Sequence, residues 1–321
     1  MTLRLASLAA LLLAACAATP SSPTESADAA TTQDDGGSVD AGAPADAAIQ
    51  ACRAYGAPVA TATVTTPELP EASGIAASAA HPGVFFTHND SGDTARFFAI
   101  DLAGTLLATF NMRNAQPAID IEDIDLGPCE GGRCVFVGDI GDNKESRAGY
   151  VVYRVREPAV TAGKVQGASD VTVDALPFTY PDGSHNAETL LVHPLTGAVY
   201  VLTKESAHAS RLYRFPALTP GISVVLTKVG EFNPPDPFDH LITAGQLHPS
   251  GTRLLLRTYN GVYELRGEVG DAPETLLTRT LVRLPVPSEV QGEAISYLGD
   301  GLGYATISEG NSPTLYTVPC R

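Results

Sequence analysis

Residues 119–143 read IDIEDIDLGPCEGGRCVFVGDIGDN, and this stretch predicts the fold of the rest of the chain. It contains a short strand opened by Glu122, a tight turn flanked by two cysteines, an apolar strand, and a loop of Asp, Gly and Asn. Short apolar runs that alternate with Gly/Asp/Asn turns are typical of antiparallel strands. Degraded copies of the same pattern recur along the chain, which indicates a repeat architecture.

Five copies of the strand opener can be recognised, and each is followed by two further apolar strands. The openers lie at residues 71–75, 120–124, 186–190, 242–246 and 291–295. Their spacing fits four-stranded propeller blades of roughly 40–50 residues with added loops. Fourth strands are predicted at residues 106–109, 172–175, 224–227 and 277–280.

The fifth repeat runs out of chain, so its outer strand is predicted to come from the N-terminal residues 60–64. A ring closed in this way leaves few exposed strand edges. The sequence therefore predicts an all-β protein, a β-propeller of five four-stranded blades closed by an N-terminal strand. A six-bladed ring with one blade hidden around residues 160–180 is the alternative.

Composition agrees with this fold class and disfavours two classes of partner. The chain has 321 residues, with 30 Gly and 24 Pro, which suits a turn-rich all-β protein. Its formal net charge of −16 repels nucleic acid and anionic lipid, so neither is an expected partner. The protein is expected to be a monomer.

The N-terminus is predicted to be a lipoprotein signal peptide covering residues 1–15. Arg4 supplies the positive charge, and an apolar run too short to span a bilayer ends in Leu-Ala-Ala-Cys16. This ending resembles a bacterial lipobox, in which the cysteine is lipidated (palmitate among its acyl chains) and becomes the mature N-terminus. A plain secretory signal cut near Ala17 or Ala18 is the alternative. Because Ala17 is not Asp, the outer membrane or cell surface is the expected location in the cell envelope.

Residues 16–49 are predicted to be the lipidated cysteine followed by a disordered linker, and residues 50–321 the propeller domain. The linker is built from Ala, Thr, Ser, Asp and Pro and cannot bury enough apolar surface to fold. An exported domain can keep disulfides. Cys129 and Cys134 would staple a hairpin, and Cys52 and Cys320 would join the two ends of the ring. A zinc site at Cys129 and Cys134 is disfavoured, because no His cluster accompanies them.

The repeat openers also predict where a site would lie. The first strand of each blade lines the central channel, so the openers are expected to place Ser73, Glu122, Glu188, Ala244 and Glu293 in one ring. Crowding raises carboxyl pKa values, which makes Glu122, Glu188 and Glu293 the candidate general acids or bases. The alternative is that these glutamates accept backbone N–H bonds and hold the ring together.

The ends of the second strands are expected to lie around the same channel mouth. Oxygen-bearing side chains there favour Ca²⁺ over zinc, so a tentative calcium site is predicted from Asp90, Asp93, Asp139, Asp142 and Asn143. Neither loop has EF-hand spacing, and Asx-type turns are the alternative. A ligand at the mouth, an unidentified protein or small molecule, is predicted to contact His88, Lys204, Arg257 and Glu309.

Several of these motifs together resemble a family of secreted bacterial propeller proteins described as TolB-like, NHL-like or phytase/esterase-like. The motifs are EASG at 71–74, THNDSGD at 87–93, DIEDI at 120–124, GDIGDN at 138–143, and GEA at 292–294 with SEG at 308–310. The resemblance covers about residues 70–320 and implies the fold. True propeller phytases are six-bladed and rich in basic residues, and this sequence departs from them in both respects.

Two functions remain from the sequence. The first is a membrane-tethered binding or interaction module with its site at the channel mouth. The second is a calcium-dependent hydrolase, of phosphoesterase or lactonase type, that uses the channel glutamates.

Overall fold

Five antiparallel sheets form the blades of a propeller in a computed structural model that describes residues 50–207 and 209–321. The predicted signal peptide, Cys16 and the linker lie outside the described residues. Blade 1 contains β2 (Ala72–Ala77), β3 (Val84–Asn89), β4 (Arg96–Asp101) and β5 (Leu106–Met112). Blade 2 contains β6 (Ile121–Cys129), β7 (Gly132–Asp139), β8 (Tyr150–Arg156) and β10 (Asp174–Thr179).

The other three blades follow the same order from the channel outwards. Blade 3 contains β11 (Ala187–Val192), β12 (Val199–Thr203), β13 (Ser210–Arg214) and β15 (Thr227–Phe232). Blade 4 contains β16 (Ile242–Leu247), β17 (Arg253–Thr258), β18 (Val262–Arg266) and β19 (Thr280–Arg283). Blade 5 contains β20 (Gly292–Tyr297), β21 (Gly303–Ser308), β22 (Thr314–Pro319) and, as its outer strand, β1 (Val59–Thr63).

The innermost strands close into a ring of five. Strand β2 contacts β6, and contacts continue from β6 to β11, β16 and β20 and back to β2. This confirms the five-bladed prediction. The six-bladed alternative is wrong, because residues 167–179 supply outer strands to blades 1 and 2 and form no blade of their own.

The hydrophobic core is divided into five clusters, one at each interface between neighbouring blades. Between blades 1 and 2, for example, Phe86 and Phe97 pack with Val135 and Tyr153. The corresponding cluster between blades 4 and 5 contains Leu255 and Tyr304. Each middle strand is therefore buried on both faces, which explains why these strands read as continuous apolar runs.

The outer strands differ most from the predictions. The prediction for blade 1 is confirmed by β5, but residues 172–175 only enter β10 at Asp174. Val224–Val225 forms β14, which pairs with blade 2, and the fourth strand of blade 3 is β15. In blade 4 the predicted fourth strand, residues 277–280, is not a strand before Thr280. A four-residue helix, α1 (Pro273–Leu276), precedes it, and the observed outer strand starts at Thr280. Outer strands are exposed, so no apolar pattern fixes their position.

Two added strands protect the outer edges of blades 1 and 2. Strand β9 (Gly167–Val171) pairs in parallel with β5, and β14 pairs in parallel with β10. In blades 2 and 3 the chain between the third and fourth strands therefore first covers the outer edge of the preceding blade and then returns to its own sheet. Covering an edge removes a template for pairing with other chains.

The ring closes as the sequence predicted. Strand β1 pairs antiparallel with β22, and Cys52 and Cys320 form a disulfide with a Cα–Cα distance of 5.3 Å. The hairpin disulfide between Cys129 and Cys134 is also present, with a Cα–Cα distance of 5.8 Å.

A buried carboxylate strengthens this closure. Glu264 on β18 accepts hydrogen bonds from Tyr55 (2.5 Å) and Tyr297 (3.0 Å) and forms ion pairs with Arg253 and Arg266. Each arginine also donates to a carbonyl of the N-terminal segment, at Cys52 and Arg53. The chain start is thus held by hydrogen bonds as well as by the disulfide. The described residues contain no helix of the length and apolarity needed to span a bilayer.

The alternating strand directions define two faces. The mouth face contains the loops that enter each inner strand and the loops between second and third strands. The lower face contains the turns between first and second strands and the connections after third strands. The repeat openers lie at the mouth end of the inner strands.

Candidate functional site

A β-bulge occurs at the second residue of every inner strand and defines a ring at the mouth. The register shifts between Ile121 and Asp123 in β6, and at the matching place in the other four blades. A bulge leaves one residue unpaired and re-aims its side chain. The five bulged residues are Ser73, Glu122, Glu188, Thr243 and Glu293.

This register corrects one member of the predicted ring. Ala244 pairs with Arg257 in the sheet, and the ring position of blade 4 is held by Thr243. The Thr243 hydroxyl donates to Gly292 O (2.8 Å) and the Ser73 hydroxyl to Glu122 O (3.5 Å). The two hydroxyl side chains of the ring therefore link neighbouring blades. The other three members of the ring are glutamates.

Glu122 belongs to a cluster of three carboxylates. One oxygen atom from each of Asp90, Asp120 and Glu122 lies within 4.8 Å of the others. Asp90 follows β3, and Asp120 directly precedes β6. Gly141 closes the cluster from the next loop, since its N–H donates to Asp120 O (3.1 Å). A Cβ atom at Gly141 would lie 2.5 Å from Asp120 Oδ2 and closer still to Glu122 Oε1, so a larger residue there would displace these two carboxylates.

The Glu122 carboxylate is buried without a hydrogen-bond or ion-pair partner among the described residues. The residue is 4% exposed. Burial, followed by the charges of Glu188, Asp90 and Asp120, raises its pKa well above the ordinary value. Burial and Asp90 likewise raise the pKa of Asp120 to about 6, and burial raises the pKa of Asp90. The cluster thus favours either bound protons or a cation.

Lys204 brings a positive charge to the same place. Its Nζ atom lies 2.5 Å from Glu188 Oε1 and 2.7 Å from the Tyr259 hydroxyl. Burial raises the pKa of Glu188 to about 7 although Lys204 opposes the shift, and Glu293 and Asp90 add to it. The pKa of Lys204 is raised, because its contacts with Glu188 outweigh its desolvation. The lysine is therefore protonated at neutral pH.

Two further carboxyl groups, those of Glu293 and Glu309, lie on blade 5. Burial, then a hydrogen bond with Glu293, raises the pKa of Glu309 to about 9. Gln291 donates its amide N–H groups to both Glu293 (2.7 Å) and Glu309 (3.0 Å). At neutral pH Glu309 therefore favours its protonated form.

A polar network crosses the channel below the ring. Gln246 on β16 donates to Asp125 Oδ1 on β6 (2.9 Å) and accepts from Tyr297 N (2.7 Å) and the Ser296 hydroxyl (3.0 Å) on β20. Asp125 also accepts from Val192 N (2.7 Å), and burial raises its pKa to about 7. The network ties blades 2, 3, 4 and 5 together.

Most of the predicted calcium ligands are engaged by protein donors. Asp93 binds Arg96 (2.8 Å) and accepts from Asn89, while Asp139 binds Arg147 (2.8 Å). Asp142 accepts from Tyr150 (2.9 Å) and from Arg147 N (2.8 Å). Asn143 accepts from Asn186. Asp90 alone of the five predicted ligands lies in the three-carboxylate cluster, and metal binding by the other four stays a prediction.

The predicted ligand contacts divide into two groups. Lys204 and Glu309 lie beside the carboxylate cluster, as described above. His88 is fully buried, its Nδ1 faces Asn89 O (2.9 Å), and burial lowers its pKa to about 4. Arg257 is also fully buried, where it pairs with Glu289 and donates to Ala294 O. Both contacts with a ligand stay predictions, and the packing gives these two residues positions between blades.

No role was assigned from the sequence to three residues of the site. Asp120 is the first letter of the DIEDI opener, so the repeat itself carried a signal for it. Gln291 is likewise the first letter of the opener at 291–295, whereas Tyr259 comes from a loop of another blade and no spacing in the sequence relates it to Lys204.

Comparisons with known proteins found similarity in structure. The chain matches no protein-family model and no curated protein sequence. It is similar in structure to XC5397 from Xanthomonas campestris, described as a gluconolactonase important in glucose secondary metabolic pathways. The two share 11% sequence identity over 81% of this chain and 89% of that one, with a TM-score of 0.46. Similarity at this level supplies no argument for an activity.

Proposed function

We propose that the propeller mouth binds one divalent metal ion between Asp90, Asp120 and Glu122. The observation that carries this proposal is the buried Glu122 carboxylate, which has no partner among the described residues and lies within 4.8 Å of two more carboxylates. A buried, unpaired charge is costly unless it is neutralised. Three hard oxygen donors suit Ca²⁺ or Mg²⁺ better than zinc.

The groups around this cluster support a hydrolase of small esters, of phosphoester or lactone type. When bound, the metal ion would polarise an ester or phosphoryl oxygen. Lys204, held by Glu188 and Tyr259, would bind a negatively charged oxygen of the substrate. The Glu188 carboxylate is placed to accept a proton from water, and Glu309 holds a proton that can be given to a leaving group.

A binding module without turnover is the second candidate. It is favoured by two apolar side chains in the loops that enter blades 4 and 5 on the mouth face, since Phe238 is 96% exposed and Val290 fully exposed. Large exposed apolar side chains are common at binding surfaces. As a further part of the proposal, the protein is anchored outside the cytoplasm through a lipid on Cys16, on the outer membrane or cell surface.

The test combines metal titration with a substrate panel. The full chain, stripped with EDTA, is titrated calorimetrically with Ca²⁺, Mg²⁺ and Mn²⁺ and assayed with phosphoesters and lactones. Glu122→Gln is expected to abolish metal binding and turnover together. The matched control is Glu68→Gln, which changes an exposed carboxylate of the same face.

The outcomes separate the two functions. Metal-dependent turnover that survives in the control and disappears in Glu122→Gln supports the hydrolase. Metal binding without turnover on the panel favours the binding module. If the unmodified protein binds none of the three ions, the metal site and the hydrolase mechanism built on it are both wrong.

A further inference from the structure

The lower face exposes large apolar side chains around the end of the channel. Leu195, 62% exposed, lies in the turn between β11 and β12, and Val269, 85% exposed, follows β18. Both line the same cavity. A cavity of about 350 Å³ on the same face is lined by Leu102 and Leu298, and Leu302, in the same turn as Leu298, is 44% exposed. Apolar groups grouped on one face mark an interaction surface.

The N-terminal segment leaves the domain on this same face. Cys52 is bonded to Cys320 just after β22, and its Sγ atom lies 3.7 Å from Gly301 O in the turn that holds Leu302. Arg253, at the lower end of β17, donates to Cys52 O (2.5 Å). If residues 17–49 form the disordered linker predicted from the sequence, a chain of that length would have a root-mean-square span of roughly 30 Å between the proposed anchor at Cys16 and the domain.

The two faces differ in charge. At the mouth, five acidic residues lie in the region of Lys204: Asp90, Asp120, Glu122, Glu293 and Glu309. On the lower face, basic side chains accompany the acidic ones, among them Arg133 with Glu157 (3.5 Å) and Arg279 with Asp271 (2.8 Å). An anionic lipid surface repels the mouth more strongly than the lower face.

We propose that the lower face rests on the membrane surface, with Leu195, Val269 and Leu302 at the lipid interface and the mouth directed away from it. This inference rests on the predicted lipid anchor at Cys16 and is independent of the metal site. Phe238 and Val290 are also exposed, but they lie in loops of the mouth face, opposite the chain exit. They provide the matched control.

The test measures amide hydrogen exchange on the full chain bound to vesicles of phosphatidylethanolamine and phosphatidylglycerol. Three proteins are compared at equal lipid: the unmodified chain, the lower-face variant Leu195→Ser/Val269→Ser, and the mouth variant Phe238→Ser/Val290→Ser. The readout is the unaltered lower-face turn 298–302, which no variant changes. Burying one such side chain is worth about tenfold in an equilibrium constant, so the lower-face variant is expected to lose about tenfold or more in protection.

Each outcome decides the proposal. Slow exchange at 298–302 in the unmodified chain and the mouth variant, lost in the lower-face variant, supports it. Protection of the mouth loop 233–240 instead, or equal exchange in all three proteins, overturns it. Protection that disappears when the protein is diluted in excess lipid identifies a second copy as the occupant and also overturns it.

Discussion

The two disulfides close loops of very different length, which makes ring closure measurable. Cys52 and Cys320 are 268 positions apart, whereas Cys129 and Cys134 are 5 apart. In the chain-entropy model the long crosslink stabilises the folded state by about 5.5 kcal/mol and the short one by about 2 kcal/mol. We expect Cys52→Ser/Cys320→Ser to lower the free energy of unfolding by about 3.5 kcal/mol more than Cys129→Ser/Cys134→Ser.

The assay is urea unfolding at equilibrium under non-reducing conditions, followed by far-UV circular dichroism and tyrosine fluorescence. The hairpin variant is the internal control, since it removes one disulfide of the same chemistry from the same domain. The native contacts of β1 and Glu264 remain in both variants, so the comparison isolates the constraint on the unfolded chain. Equal losses in the two variants would refute the entropic account of closure.

Three further outcomes follow from the site. Gly141→Ala places a Cβ against Asp120 and Glu122 and should abolish metal binding in calorimetry, whereas Gly149→Ala, whose nearest neighbour would be 3.4 Å away, should retain it. The raised pKa values of Asp120 (about 6) and Glu188 (about 7) mean that the folded state binds more protons than the unfolded state between about pH 4 and 7. The metal-free protein should therefore lose stability as pH rises through 5 to 7.5, and Ca²⁺ should raise Tm more at pH 7.5 than at 5.5; a Ca²⁺ effect larger at pH 5.5 would contradict this. Arg257→Met leaves the buried Glu289 unpaired and should cost about 3–5 kcal/mol in unfolding free energy with metal affinity unchanged, whereas a loss of affinity would place Arg257 in the site.

The inner part of the fold could be predicted because its strands are packed against a neighbouring blade on each face. Middle strands are buried on both sides, so runs such as VFV at 135–137 stand out from any turn. The cysteines added a long-range constraint, because only one pairing joins the two chain ends. Outer strands such as β15 (Thr227–Phe232) are largely exposed, and nothing in their composition separates them from loops.

The site was predictable in position but not in detail. The repeats brought Glu122, Glu188 and Glu293 to one level. The blade 4 opener lacks the glutamate that aligns these three copies, so its ring position was predicted one residue late, at Ala244 instead of Thr243. Which carboxylates are free is also a tertiary property. Asp139 and Asp142 are engaged by Arg147 across their own loop, while Glu122 keeps its oxygens unpaired.

The pairing of β1 with β22 has a consequence for the order in which the protein is made. Among the described strands, β1 is synthesised first and its partner β22 last. Domains begin to form while the chain still emerges, but this ring cannot close until β22 is available. Blades 1 to 4 can assemble in sequence while β1 waits unpaired, so a chain that lacks β22 would keep two open edges. Quality control of this domain would thus depend on the residues of β22.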